Sequence, residues 1–298
     1  MFIKRLPKFE CHAPGTMAEA LEQLAEYGER GAVLAGGTDL LVSMKKREKV
    51  PAHLINLKGI EDLKGIDNDG VAGIKIGGLT TLGELERSKI VKENFSILWD
   101  AVNVMAAPQV RNLGTIGGNL CGAIPSADTA PPLIASGASV KLIGIKGERT
   151  VLVEDFFEGP GKSVLKGDEI LTQIFIPNPP ENGGGAYLKL MRRSAMDLAL
   201  VGVAAHLMLD GAKKFCKGVK IALGAVASTP IRAPKAEEIL LNKEINEDLA
   251  ADAGRVASRE ARPISDIRAT EGYRTEMIGV LTKRAVVEAC KRIRGKSG

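Results

Sequence analysis

The sequence predicts an α+β protein with two domains, on three observations. The chain has 298 residues, enough for about two domains that each bury a core. Residues 177–185, PNPPENGGG, contain three prolines and three glycines, a composition typical of a linker. After this segment, strand-like stretches precede helical ones, an order typical of α+β domains. We therefore predict one domain at 1–177 and a second at 178–298.

The first domain is predicted to have two lobes, at 1–57 and 58–177. Apolar periodicity and turn residues define the elements of both lobes. In the first lobe they are a helix within 14–30, a strand at 31–34, a glycine turn at 35–37, a helix capped by Thr38 or Asp39, and a strand at 53–57. In the second lobe they are a hairpin at Asn68-Asp69-Gly70, helices in 81–106, a helix within 126–136, a hairpin turning at Lys146-Gly147, and a strand at 169–177.

The second domain contains three apolar, strand-like stretches and three stretches with helical spacing. The strands are AYLKLMRR, LALVGVAAHLMLD and VKIALGAVAS, and the helices cover 233–242, 247–261 and 270–293.

The composition is that of an ordinary globular protein, with 45% hydrophobic and 26% charged residues. Residues 283–298 carry six basic and one acidic side chain, which accounts for the whole net charge of +5. The rest of the chain is near neutral, so nucleic acid is not an expected partner. No apolar run reaches the ~18 residues of a membrane span, and the N-terminus lacks the apolar region of a secretion signal. The sequence therefore predicts a cytoplasmic protein without a membrane span.

Two glycine pairs are the strongest functional signal. AGGTD at 35–39 and TIGGN at 115–119 each follow an apolar or β-branched stretch and lie about eighty residues apart. A glycine pair lets backbone N–H groups approach a phosphate closely, although a single pair is more often a plain turn. At TIGGN we expect the end of an extended segment. The two pairs together predict one dinucleotide held between two folded segments, with no room for a side chain at Gly37 or Gly117.

The flanking residues carry a resemblance to a known family. AGGTDLL, TIGGN and Asp128 are followed by RRSAMDLALV, GAVASTPIRAPKAEEIL and PISDIRATEGYRTEMIGVLTKRAV. Over nearly its whole length the chain resembles the FAD-binding subunit of the molybdenum hydroxylases, which include xanthine dehydrogenase, carbon monoxide dehydrogenase, 4-hydroxybenzoyl-CoA reductase and nicotinate dehydrogenase. The resemblance implies a two-lobed FAD-binding domain of the vanillyl-alcohol oxidase (PCMH) type. It also implies an α+β domain similar to the C-terminal domain of the carbon monoxide dehydrogenase flavoprotein.

The resemblance further implies non-covalent FAD and a set of residues that hold it. Backbone N–H groups of two segments would enclose the pyrophosphate, and Asp128 would accept hydrogen bonds from the cofactor. Met105 and Leu171 would be apolar neighbours of FAD, with plain core packing as the alternative, and Lys189 would be a nearby cation, with a solvated lysine as the alternative. The implied residues are Val33, Leu34, Ala35, Gly36, Gly37, Thr38, Asp39, Leu40, Met105, Thr115, Ile116, Gly117, Gly118, Asn119, Asp128, Leu171 and Lys189.

No catalytic or metal-binding residue is predicted. The histidines His12, His53 and His206 lie in unrelated sequence contexts, and there is no G-x-S-x-G motif. The four cysteines form no C-x-x-C pair, so they are expected to be reduced thiols without a zinc ion or an iron–sulfur cluster. What remains is cofactor chemistry, for which the chain supplies binding and orientation.

The resemblance implies partners for such a subunit. A large subunit would bind molybdopterin, a small subunit would carry [2Fe–2S] clusters, and NAD or another acceptor would exchange electrons with the flavin. Two alternatives stay open: a self-contained flavin oxidase or reductase on the same fold, and a nucleotide-binding scaffold without redox activity.

Overall fold

The computed structural model describes residues 5–68 and 70–295. The first lobe is a three-stranded parallel sheet in the order β1-β3-β2. Its elements are β1 (Glu10–His12), α1 (Met17–Tyr27), β2 (Gly31–Leu34), α2 (Leu40–Lys46) and β3 (His53–Asn56). Helix α1 buries Ala20, Leu21 and Leu24, which helical spacing puts on one face. The predicted strand, glycine turn, helix and strand are all present.

The second lobe is built on a five-stranded antiparallel sheet in the order β4-β5-β10-β6-β7. Its strands are β4 (Ile66–Asn68), β5 (Gly73–Gly77), β6 (Ser139–Gly144), β7 (Gly147–Leu152), β8 (Phe157–Gly159), β9 (Lys162–Ser163) and β10 (Glu169–Pro177). The β4-β5 hairpin forms at the predicted place, although Asp69 lies outside the described residues. The β6-β7 turn was predicted one residue too late, because Gly144 pairs with Gly147 and the turn residues are therefore 145–146.

Six short helices cover this sheet. They are α3 (Leu82–Arg87), α4 (Lys89–Asn94), α5 (Ser96–Asn103), α6 (Pro108–Arg111), α7 (Ile116–Cys121) and α8 (Ala130–Ala135). The helical prediction for 81–106 is confirmed, whereas the helix predicted within 126–136 is limited to α8. Trp99 packs against the core and donates its indole N–H to the Glu86 carbonyl at 2.9 Å.

The second domain is a four-stranded antiparallel sheet, β11-β12-β13-β14, with three helices packed on it. Its elements are β11 (Gly183–Leu190), β12 (Val201–Leu209), β13 (Cys216–Gly224), β14 (Ile231–Arg232), α9 (Pro234–Leu240), α10 (Glu247–Glu260) and α11 (Glu271–Gly295). The α+β class is confirmed. We propose the domain division at residues 177 and 178, because β10 and β11 belong to different sheets.

The predicted linker is shorter than PNPPENGGG. Gly183, Gly184 and Gly185 are buried residues of β11, and their small size serves close packing. A Cβ on Gly185 would lie 2.8 Å from Ile97 Cδ1 and 2.9 Å from the Ala205 carbonyl oxygen. The connection between the two sheets is therefore 178–182, and Gly185 belongs to the interface between β11 and α5, whereas Gly184 lies against Ile293 of α11.

An ion pair joins the two domains at this interface. Arg292 on α11 donates to Asp100 on α5 at 2.7 Å, and Asp100 also accepts the backbone N–H of Tyr187 on β11 at 3.1 Å. Among the described residues, no helix is both long enough and apolar enough to cross a membrane.

Helices α10 and α11 pack backbone to backbone at Gly254, which gives a test of the packing. A Cβ on Gly254 would lie 2.4 Å from the carbonyl oxygen of Gly279, a backbone atom that cannot move aside. Gly254→Ala should therefore lower the free energy of unfolding by about 1–3 kcal/mol, the usual cost of overpacking. Gly272→Ala is the matched control, because Gly272 also lies in a helix but nothing lies within 4 Å of its Cβ position. Urea unfolding of both variants would contradict this packing if they were equally stable.

Candidate cofactor-binding site

The turn at 35–39 presents a row of unused backbone donors. It follows β2, and Gly37 has a φ of +78°, a conformation that side chains other than glycine rarely adopt. Leu41 N–H donates to the Gly37 carbonyl and starts α2. By contrast, the N–H groups of Gly36, Gly37, Thr38 and Asp39 have no acceptor within residues 5–68 and 70–295. Four consecutive free N–H groups form a binding place for an anion.

The expected role of Thr38 or Asp39 as a side-chain cap is wrong. Asp39 occupies the N-cap position of α2, but its side chain accepts no capping hydrogen bond. Its φ of −100° and ψ of −45° are already helical, so the carboxylate is not directed back at the first turn. The donors of this turn are consequently left available to a ligand.

TIGGN is a helix start and not the end of an extended segment. Thr115 is the N-cap of α7, and its Oγ1 accepts the Gly118 N–H at 3.0 Å. The other N–H groups of this turn are also occupied: Ile116 donates to Thr80, Gly117 to Gly78, and Asn119 to Thr115. In this conformation the N–H groups of Ile116 to Asn119 are therefore bonded within the chain, and the role of Thr115 to Asn119 at the pyrophosphate stays a prediction.

Gly117 is small for a reason other than the predicted one. A Cβ at this position would lie 2.5 Å from the Gly78 carbonyl oxygen, so the space is filled by the chain itself. Ile116 is fully buried in the core. Of the TIGGN segment, Thr115 lines the cleft beside the glycine turn, and Gly118 lies against Ala35.

The two glycine segments lie side by side, as the sequence predicts. A Cβ on Gly36 would lie 2.2 Å from the Leu113 carbonyl oxygen, and a Cβ on Gly118 would lie 3.8 Å from the Ala35 Cβ. Gly36 therefore needs to be glycine because the backbone before TIGGN packs directly against it.

A cleft of about 550 Å³ opens beside this contact, within the usual range of ligand sites. Two predicted residues, Ala35 and Thr115, line it. Three cations that the sequence analysis missed also line it: Lys58, Lys64 and Arg87. The sequence could have indicated Lys58, because it comes just after the predicted strand β3. No sequence pattern indicates Lys64 or Arg87, which only the fold brings to the same cleft. The free N–H groups and the cations fit the pyrophosphate of a dinucleotide.

Asp128 is held in a buried polar cluster. Its carboxylate accepts a hydrogen bond from the Lys189 ammonium and another from the Tyr187 hydroxyl, both at 2.8 Å. Burial raises the pKa of Asp128, while Lys189 and Tyr187 act in the opposite direction. Burial and the adjacent Asp128 raise the pKa of Tyr187 well above its usual value. The Lys189 side chain is only 1% exposed, so the alternative of a solvated lysine is wrong.

This cluster is connected to the TIGGN helix. The Thr129 hydroxyl donates to Asn119 Oδ1 at 2.6 Å, and Thr129 follows Asp128 directly. Asn119 on α7, the 128–129 loop and β11 are therefore held as one unit that spans both domains.

The remaining predicted residues lie in or near the hydrophobic core. Met105 and Leu171 are 9% and 6% exposed and belong to the core of the second lobe, so their contacts are those of the packing alternative. Val33 and Leu34 are half-buried in β2, and Leu40 begins α2.

Removing Lys189 gives a test of the buried cluster. Lys189→Met leaves the Asp128 carboxylate buried without its cation, which should cost about 3–5 kcal/mol of unfolding free energy at neutral pH. The pKa of Asp128 then rises further, since Lys189 is the main group that lowers it. A carboxyl with a higher pKa in the folded chain gains a proton on folding. The variant should therefore lose stability as the pH rises above about 4, which is the pKa of an aspartate in the unfolded chain.

Denaturant unfolding at several pH values checks this expectation. The control is Asp128→Asn combined with Lys189→Met, which removes both charges and should be more stable at neutral pH than Lys189→Met alone. A Lys189→Met protein whose stability does not depend on pH in this range would contradict the cluster.

Known proteins share both parts of this architecture. Residues 7–179 match the family described as the FAD binding domain in molybdopterin dehydrogenase, and residues 186–289 match the CO dehydrogenase flavoprotein C-terminal domain. The chain is 33% identical over 286 residues to the xanthine dehydrogenase FAD-binding subunit of Escherichia coli O157:H7, covering 96% of this chain and 97% of the relative. It is 36% identical over 284 residues to the carbon monoxide dehydrogenase medium chain of Afipia carboxidovorans, covering 95% and 97%.

Solved structures agree with these sequence relationships. A chain of carbon monoxide dehydrogenase from Hydrogenophaga pseudoflava matches with a TM-score of 0.93 and 36% identity, covering 97% of this chain and 99% of that one. A chain of quinoline 2-oxidoreductase from Pseudomonas putida 86 matches with a TM-score of 0.91 and 29% identity, covering 97% and 99%. The resemblance inferred from the sequence is confirmed: the chain belongs to the family of FAD-binding medium subunits of the molybdenum hydroxylases, and is the flavoprotein subunit of a multi-subunit oxidoreductase.

Proposed function

We propose that this subunit passes electrons between the [2Fe–2S] clusters of a small partner subunit and NAD or another soluble acceptor. A large molybdopterin-binding subunit would act on the substrate, and the complex would be cytoplasmic. The observation that carries the proposal is an anion-binding turn beside a cationic cleft. It occurs in a chain whose cysteines do not provide the ligands of an iron–sulfur cluster.

The cysteines support a division of labour between subunits. Cluster iron is bound by thiolates, so a ligand thiol has to lose its proton. Burial raises the pKa of Cys121 to about 12 and that of Cys216 to about 11. Among the described residues, which include all four cysteines, no cysteine belongs to a group with ligand atoms close enough to share an ion, and iron–sulfur clusters are therefore expected on a partner.

The chain's own residues would bind and orient the cofactor. We assign the pyrophosphate to the N–H groups of Gly36 to Asp39, and long-range charge compensation to the three cations of the cleft. Bound FAD can accept a hydride and release single electrons, which suits a bridge between a nicotinamide and iron–sulfur clusters. Lys189 and Asp128 would then fix the loop beside the site.

The substrate is expected to be chosen by another subunit. The relatives take their names from xanthine, carbon monoxide and quinoline, which share little chemistry, yet they have the same fold.

A self-contained flavin oxidase or reductase is the second candidate, and it would need a base of its own in the cleft. The carboxylate that lines the cleft is Glu84, and it is occupied, because its Oε2 accepts the Thr81 N–H and the Thr81 hydroxyl, both at 2.7 Å. The cleft therefore favours the electron-transfer subunit.

The glycine turn can be tested with ligand fragments. Charge-assisted hydrogen bonds contribute about 1.5–3 kcal/mol each, and each 1.4 kcal/mol is a factor of about ten. Riboflavin, which lacks the pyrophosphate, should bind at least about a hundredfold more weakly than FAD, and ADP should compete with FAD. Acid precipitation should release the flavin, because it is not covalently bound. Equal affinities for FAD and riboflavin would contradict the assignment.

A matched pair of glycine variants separates binding from folding. Gly37→Ala and Gly70→Ala introduce the same backbone strain, since their φ angles are +78° and +73°, at a cost of about 1–2 kcal/mol each. The new Cβ at Gly37 would in addition lie 3.0 Å from Leu34 Cδ1, at the movable end of a side chain. Only Gly37→Ala should weaken FAD binding, by about tenfold or more in a flavin titration. If both variants bind FAD equally well, the turn at 35–39 does not hold the cofactor.

The partner proposal has a direct test in the native host. Affinity purification should recover a molybdopterin subunit and an iron–sulfur subunit with the chain, and the isolated chain should not oxidise a purine or an aromatic substrate. Recovery of a fully active monomer would support the self-contained enzyme.

A further inference from the structure

Two histidines and a glutamate meet at the amino-terminal edge of the parallel sheet. Glu10 and His12 are two residues apart in β1, so their side chains lie on the same face of the strand. Strand β1 pairs in parallel with β3, and Glu10 is the register partner of His53. The pairing brings together residues that are 41 positions apart in the chain. The expectation that His12 and His53 lie in unrelated contexts is therefore wrong.

The distances between these groups match a metal site. His12 Nε2 lies 3.1 Å from His53 Nδ1, and Glu10 Oε2 lies 3.4 Å from His53 Nδ1 and 3.9 Å from His12 Nε2. A point equidistant from three atoms with these separations lies about 2.0 Å from each. Zinc binds imidazole nitrogen and carboxylate oxygen at ~2.0–2.2 Å. The three ligand atoms therefore surround a position whose distances suit a zinc ion, which would replace the hydrogen bond between the His12 and His53 ring nitrogens.

The neighbourhood holds the two imidazoles in place. The Tyr27 ring stacks on His53 at 4.0 Å between centroids and on His12 at 4.7 Å. The two histidine side chains are only 15% and 22% exposed, whereas Glu10 is 73% exposed. The imidazole pair is thus rigid, and the carboxylate can close over an ion from the solvent side.

We propose that Glu10, His12 and His53 bind one divalent transition-metal ion, with zinc as the best match, and that the ion clamps β1 to β3. Two neutral imidazoles and one carboxylate are a donor set that zinc commonly uses, with a fourth position open to water. Within the described residues, these three are the group of histidine, cysteine and acidic side chains with ligand atoms close enough to share an ion.

The ion would lie apart from the cofactor cleft. His53 pairs with Gly31 at the start of β2, whereas the glycine turn follows Leu34 at its end. Along the strand direction, the proposed ion and the glycine turn are therefore three residues apart, or roughly 10 Å. We therefore assign the ion a structural role in the first lobe.

Zinc titration of the purified chain tests the site. Isothermal titration calorimetry and equilibrium dialysis should show one zinc ion per chain, and His12→Gln, His53→Gln and Glu10→Gln should each weaken binding by about tenfold or more. Glu10→Gln is the variant that preserves the fold, because Glu10 is largely exposed. Zinc at about a hundred times its Kd should shift the unfolding equilibrium of the unmodified chain about a hundredfold.

Cys11→Ser is the matched control. Cys11 lies between the two β1 ligands and is exposed, and as the middle residue of the strand it points to the opposite face. Cys11→Ser should therefore bind zinc like the unmodified chain. The proposal is overturned if Glu10→Gln and a folded histidine variant bind zinc as tightly as the unmodified chain. It is also overturned if Cys11→Ser alone abolishes binding.

Discussion

The architecture depends on a buried charge pair between the two domains. Asp128 lies in the loop after α7, and Lys189 lies on the first strand of the second domain, with 2.8 Å between carboxylate and ammonium. Neither charge is stable in the interior alone, because an unpaired buried ion costs several kcal/mol. The loop can therefore keep its position only while β11 is in place. Because Thr129 also binds Asn119, TIGGN is linked to the second domain as well as to Thr80 and Gly78 of its own lobe.

The two glycine pairs require glycine for different physical reasons. Gly37 is glycine because its backbone has a φ of +78°, which leaves four N–H groups free for an anion. Gly117 is glycine because the Gly78 backbone occupies the place of a side chain, and the N–H groups around it are bonded within the chain. AGGTD thus supplies the free donors, and TIGGN supplies the close packing that puts Thr115 and Gly118 beside them.

The two features that sequence reasoning missed both result from pairing between distant segments. The cations Lys58, Lys64 and Arg87 have no common motif, and they meet only because the segment after β3, the segment before β4 and α3 converge on one cleft. His12 and His53 come together through parallel pairing of β1 with β3. Such pairings leave no local periodicity, since each residue occupies an ordinary position in its own strand or helix.

The sequence by itself determined the elements and the family. Hydrophobic periodicity placed the longer helices and strands, because that pattern reports which face of each element is buried, and AGGTD with TIGGN marked the FAD-binding family. Periodicity did not place the short elements β1, α6, α7, β8, β9 and β14. Only the tertiary structure decided which donors are free, since a backbone N–H is available or bonded according to its spatial neighbours. It likewise decided that Lys189 is buried beside Asp128 and that Gly183 to Gly185 pack in a strand. These are properties of contacts between segments, and contacts are fixed by the packing of the whole chain.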